Sequence, residues 1–550
     1  MAQLLSFKEN SKNITQHFLQ SVVAVDDHIR FTSRPTKIDE LVVPEDDGLG
    51  MVEVDHQQAA VAPLSHELYY QDLSHSFASK GIICGGFSPE ESDLDSSLKA
   101  VVNTSKNSDI TILDWQMKIA GTDGEFATNT IKELSKLDVN EGGRTRLICI
   151  YTAENTKIVA DTLKQSLTDL APTLSETTML FSSPNLTHWK IEVVNKRDIQ
   201  EVELCDYLID SFTQLTAGLL SNAALSSIAV IRDNTHNLLH KFNKGLDTAY
   251  LSHVLGLISS PDMREQANEV AFDYAVDLIS EELKSELQTS QIVKSSLSEQ
   301  VLMSWPQSIS SKKRSTPFNI KLGGTNKQFN YETMEKLISS SKESDLIAVL
   351  ENDLGIKGDK SNATLDIFNK GLIQLSINGS DTKHLLELCS IESTRRDIVG
   401  LKDHTPVLKQ GTLIKNGKKY YLCIQPVCDT VRLKEGNHSF SFIEARISAT
   451  NFTHVMRCKN DGYLKLQIKP SAKNIETMYF TANKDTKTII ATINDDGIPF
   501  FSSGSEQSPM NFEWCGEFKF TISQAIVNGL AAQLARIGLN SFEWLRQKQK

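Results

Sequence analysis

The chain has 550 residues, too many for one ordinary hydrophobic core, so two to four domains are expected. A composition of 40% hydrophobic and 23% charged residues fits a globular protein, and a formal net charge of -12 disfavours broad contact with nucleic-acid backbones. No apolar stretch reaches the roughly 18 residues that a membrane span needs, and the opening MAQLLSFKENSKN has no apolar core of a secretory signal. The eight cysteines form no C-x-x-C pair, which predicts reduced, mostly buried thiols in a cytoplasmic protein.

Ser6 and Glu9 have capping-box spacing, and Phe7, Ile14 and Phe18 follow on one helical face. The first strand is predicted at 21–25. Residues 31–64, with Pro35, Pro44, Pro63 and seven acids, read as an inserted solvated loop. A helix is predicted over 65–80, a short strand over 81–87 and a helix over 90–104. Apolar runs at 109–113 and 146–151 predict buried strands, with helices at 126–137 and 156–167. Residues 168–188 read as a second insertion, 190–194 as a fifth strand and 202–215 as a closing helix. This alternation predicts an α/β domain over 1–215 with a doubly wound, five-stranded parallel sheet.

From 216 to 392 the pattern turns helical. Long helices are expected at 223–242 and at 262–288, the latter with Ser260 as N-cap and Pro261 in its first turn. Residues 303–330 read as a linker. Residues 393–550 read as β-rich. Asn416-Gly417 signals a hairpin, and a final helix over 523–546 carries Ile526, Leu530, Leu534 and Ile537 on one stripe.

The chemistry gathers at strand ends. In open α/β sheets, ligands bind in the crevice at the C-terminal ends of the strands. Asp26 and Asp27 end the first strand, Asp114 the third, Thr152 the fourth, and Lys196 follows the fifth. Three carboxylates held close repel one another unless a cation joins them, and an all-oxygen set suits Mg²⁺. A hydroxyl and a lysine beside them would suit the oxygens of a phosphoryl group.

This ordered set resembles the receiver domain of two-component response regulators. The resemblance runs through Asp26-Asp27, Leu113-Asp114, Asp123-Gly124, Thr152-Ala153 and Lys196, and covers roughly the first 215 residues. It implies that Asp114 is the phosphoacceptor. It also implies that Asp26, Asp27, Asp114 and the backbone carbonyl of Gln116 hold Mg²⁺, and that Thr152 and Lys196 contact the phosphoryl group. A sensor histidine kinase is the implied partner, with a downstream effector protein as a further one. Three departures stand out: Lys118 replaces the usual Pro, the gap to Asp123-Gly124 is long, and Val193 replaces the aromatic of the usual rotamer switch.

The large tail shows no DNA-reading helix, catalytic Gly-rich loop or H-x-E motif. An expanded receiver with such a tail resembles receiver proteins of Detocs-type bacterial anti-phage systems, which implies a regulator or phosphate sink in antiviral defence and not primarily an enzyme. A constitutive receiver-like adaptor is one alternative. A Mg²⁺ phosphohydrolase of haloacid-dehalogenase type is another, but it needs an acid where Gln116 stands. Trp115 is expected to be partly exposed, His236 and His240 to be solvated helix residues, Cys423 and Cys428 to be core thiols, and Lys312-Lys313-Arg314 to be a solvated run.

Overall fold

A computed structural model describes residues 6–34, 66–90, 92–117, 122–183, 185–261, 264, 267–322, 325–356, 373–378, 383–398, 405–431, 433–458, 462–504 and 510–535. They fall into two compact units, one drawn from 1–246 and 275–377, the other from 247–274 and 378–550.

The first unit opens with α1 (Phe7–Phe18), closed at its start by the reciprocal Ser6–Glu9 capping box. Then follow β1 (Ser21–Val25), β2 (Ile29–Arg30), β3 (Leu68–Tyr69), α2 (Tyr70–Ala78), β4 (Ile83–Phe87), α3 (Leu94–Ser105) and β5 (Ile110–Leu113). The series continues with α4 (Glu125–Asn140), β6 (Arg146–Thr152), α5 (Thr156–Ser166), β7 (Pro172–Ser175), β8 (Thr178–Phe181), β9 (Trp189–Asn195), α6 (Glu201–Thr216) and α7 (Leu219–Lys241). The sheet order is β4-β1-β5-β6-β9-β8-β7. The first five are parallel, and β8 and β7 add antiparallel beyond β9.

The five expected parallel strands are present, and two antiparallel strands bring the sheet to seven. Within 168–188, expected as an insertion, lies a hairpin whose short strands Pro172–Ser175 and Thr178–Phe181 widen the sheet. The helix expected from residue 65 starts later, at Tyr70, because Leu68 and Tyr69 pair with Ile29 and Arg30 in a short parallel ladder. Of the insertion at 31–64, residues 35–64 lie outside the described residues.

Alternation along the buried strands divides two cores. Val23, Val25, Ile148, Ile150, Ile191 and Val193 face α3, α4 and α5, with Phe126, Ile131 and Val159. Val22, Ala24, Ile110, Ile112, Leu147, Tyr151 and Val194 face the other layer, with Leu73, Phe77, Leu204 and Leu208. Each buried Val, Leu, Ile or Phe side chain among them contributes about 1.5–3 kcal/mol on leaving water.

The region read as a linker, 303–330, is structured. Helix Glu299–Ile309 enters it, and Phe318–Leu322 pairs with Thr325–Phe329 in a three-stranded sheet completed by Gln374–Ile377. Phe318, Ile320, Leu322 and Phe329 bury their side chains there, a period-two pattern that the surrounding Ser, Lys and Gly residues mask in the sequence. The described helix after Ser260 begins at Ala267, and residues 262, 263, 265 and 266 lie outside the described residues.

The second unit holds a ten-stranded sheet. Thr412–Asn416 and Lys419–Cys423 form the expected hairpin, with Gly417 at φ +57 in the two-residue turn. The closing helix is Phe520–Leu534; Ile526 and Leu530 are buried while Leu534 is exposed. Ile537 lies outside the described residues.

Candidate functional site

Sheet parity explains the site. Val22 and Ala24 face one side, and Asp26 is the next residue of that set; Ile110 and Ile112 lead likewise to Asp114, and Val194 to Lys196. Parallel register carries these ends to the same edge: Val25 lies opposite Leu113, and Thr152 opposite Asn195. Main-chain bonds prolong the ladders, from Asp114 N to Val25 O at 2.9 Å and from Lys196 N to Thr152 O at 2.8 Å.

Asp26, Asp27 and Asp114 each place a carboxylate oxygen within 4.8 Å of the others. The Lys196 ammonium donates to Asp26 Oδ2 at 2.8 Å, lies 2.9 Å from Asp114 Oδ1, and donates to the main-chain carbonyl of His66 at 2.7 Å. Asp26 Oδ1 also accepts from His28 N at 2.7 Å, and His28 Nε2 lies 3.8 Å from Asp27 Oδ2. Asp26, Asp114 and Lys196 are all buried.

Three acids against one ammonium leave an excess of negative charge. Burial pushes the Asp114 carboxyl up to about 6; Lys196 pulls it down, and Asp26 and Asp27 push it up. Burial works against the Lys196 charge, yet Asp114 and Asp26 raise its pKa above the usual lysine value. A hard, all-oxygen cluster of three carboxylates is the donor set that Mg²⁺ takes, so the residues present fit that ion.

The other expected site residues take distinct places. Thr152 is fully buried at the end of β6, and its hydroxyl accepts from Glu154 N at 3.1 Å. Gln116 sits two residues after Asp114, its side-chain amide donating to Glu154 Oε1 at 2.7 Å. Lys118 lies outside the described residues. Asp123-Gly124 leads into α4, with Gly124 at φ +80. Val193 is buried in the apolar core.

Trp115 is not partly exposed; only 5% of it is accessible. A glycine at 124 makes this possible. A Cβ there would meet the indole at 2.2 Å, so the ring packs where any side chain would sit, and Gly124 N closes the loop onto Trp115 O at 2.9 Å. His236 and His240 are exposed on α7, and Lys312, Lys313 and Arg314 are exposed too. Cys423 is buried as expected, but Cys428 is exposed, because it lies in the short turn Val427–Asp429 where the chain leaves the sheet.

Three participants carry no sequence signal. The His66 carbonyl is main chain, which any residue would supply. Tyr151 places its ring 5.6 Å from the Lys196 ammonium and donates its hydroxyl to Ile199 O at 2.8 Å. Buried Glu201 accepts from Arg34 in a forked pair, with Nη2 at 2.9 Å from both carboxylate oxygens and Nε at 3.1 Å from one. An acid in the first turn of a helix reads as a plain dipole partner, which hides the clamp.

Among the described residues no helix is long and apolar enough to cross a membrane. Neither a search of the curated proteins nor one of the solved structures gave a match. A scan against protein-family models matched residues 18–198 to the response receiver domain, so the acidic cluster at the strand ends lies in a receiver domain in the N-terminal part of this chain.

Proposed function

We propose that this receiver domain accepts a phosphoryl group on Asp114 from the phosphohistidine of a sensor histidine kinase. The observation that carries this reading is the gathering of Asp114 with the Lys196 ammonium and the carboxylates of Asp26 and Asp27. An Asp114 carboxylate oxygen forms the new P–O bond as the P–N bond of the donor breaks, and the imidazole leaves. Lys196 holds a positive charge beside the oxygens that would otherwise repel the incoming group. Asp26, Asp27, Asp114 and the Gln116 carbonyl are the residues to hold Mg²⁺, which when bound offsets the charge of the phosphoryl oxygens. Thr152 and Lys196 would contact the phosphoryl group.

The role fitting such a chain is signalling and not turnover: a regulator or phosphate sink, in bacterial antiviral defence by its resemblance to Detocs-type receivers, acting in the cytoplasm and passing its state to an effector protein. Acetyl phosphate with Mg²⁺ should add one phosphate to the wild type and none to Asp114→Asn, read by intact mass. Phosphate on Asp114→Asn defeats the assignment. A constitutive adaptor is the second reading, favoured by the buried Val193, which offers no aromatic ring to turn. It predicts partner affinity unchanged by beryllofluoride.

A further inference from the structure

We propose that the short parallel ladder of β2 and β3 senses the phosphoryl state of Asp114 through the main-chain carbonyl of His66. This rests on the phosphoacceptor reading above. An ammonium has three N–H donors, and in this structure Lys196 directs them at Asp26, Asp114 and His66. A phosphoryl oxygen on Asp114 is a further acceptor, and it is charged. Bonds from an ammonium to charged oxygens are stronger than those to a neutral carbonyl. Of the three present acceptors only the His66 carbonyl is neutral, so it is the one to lose its donor.

What His66 does is passed directly to the ladder. Leu68 N donates to His28 O at 3.1 Å, and Ile29 and Arg30 lie opposite Leu68 and Tyr69. His28 is itself tied to the acids, through its N–H to Asp26. Both strands of the ladder therefore start at the site, one from each side of the Lys196–Asp26 pair. At their far end they are held independently of phosphate. Glu201 accepts from Arg34 and from Tyr69 N at 3.3 Å, and Asp72 accepts from Arg34 N at 2.7 Å. One end of the ladder is thus held by the Arg34–Glu201 clamp, and at the other β2 is tied to Asp26 through His28 N while β3 is tied to Lys196 through the His66 carbonyl. Val193, three residues before Lys196, is packed into the core and has no ring or polar end to move.

The test is hydrogen exchange on the full chain, resting and after acetyl phosphate with Mg²⁺, with phosphate on Asp114 verified by mass. The Leu68 amide should exchange about tenfold faster in the phosphorylated protein, the scale of losing one bond to a charged donor. Ile112 and Ile148 in the central strands should not change. Phosphate on Asp114 with unaltered exchange at Leu68 overturns the ladder proposal alone. The same acceleration in Asp114→Asn also overturns it, since the cause is then not the phosphoryl group. Absence of phosphate from the wild type removes the phosphoacceptor reading itself, and the ladder proposal with it.

Discussion

Lys196 Nζ lies 2.9 Å from Asp114 Oδ1, with both side chains buried and Asp26 sharing the same ammonium. One lysine therefore compensates two carboxylates that water does not reach. Breaking a buried pair by removing one partner leaves an uncompensated charge and destabilises by about 3–5 kcal/mol. Lys196→Met should lose stability on that scale in urea unfolding without metal. Added Mg²⁺ should recover more stability in Lys196→Met than in the wild type, because the cation takes over part of the lost compensation.

The raised pKa of Asp114 gives a pH dependence with a definite sign. Its folded value of about 6 lies above the ordinary aspartate value, so the fold favours the protonated form. The stability this group contributes is full below its unfolded value and is lost as pH rises through about 6. A cation competes with that proton. The rise in melting temperature on adding Mg²⁺ should therefore be larger at pH 7.5 than at pH 5, by calorimetry at roughly constant ionic strength. An equal rise at both values would contradict a site built on Asp114.

Trp115 and Gly124 should behave as one unit. Gly124→Ala places a Cβ 2.2 Å from the indole at a φ of +80, so both strain and collision act against it. A loss of at least ~2 kcal/mol is expected. Trp115→Ala should lose about 3–5 kcal/mol as a large-to-small core change. In the double variant the two losses should fall well short of additive, because the alanine methyl then occupies space the ring has left.

A buried pair away from the site offers a control for folding. Arg146 donates from Nε and Nη2 to Asp138 at 2.7 and 2.8 Å, and Trp189 Nε1 donates to the same carboxylate at 3.0 Å. Asp138→Ala should destabilise by about 3–5 kcal/mol. Acetyl phosphate labelling of the folded fraction should stay as in the wild type.

The gathering of Asp26, Asp114 and Lys196 at one sheet edge is legible because its signals are local: each acid or lysine ends an apolar run, and strand parity does the rest. Asp26, Asp114 and Lys196 follow Ala24, Ile112 and Val194 on the same sheet face. The hairpin at Pro172–Ser175 and Thr178–Phe181 is not legible, since its strands are only four residues each and the first is half polar. The burial of Trp115 is not legible in the sequence because it depends on Gly124, whose missing Cβ matters only when the loop closes. The strands at Phe318–Leu322 and Thr325–Phe329 were hidden because the second is polar except at Phe329. The His66 carbonyl could not have been found, since main-chain oxygens leave no trace in residue identity.

The β7–β8 hairpin has one more consequence. By pairing with β9 it covers the flank on which a neighbouring chain could otherwise add a strand, and it does so with segments too short to template growth. The opposite margin, Ile83–Phe87, pairs only with β1 among the described residues, and Ile83 stands 75% exposed there. Any strand added to this sheet would therefore have to join at the Ile83–Phe87 margin, and a charged residue in place of Ile83 is the natural substitution for guarding it.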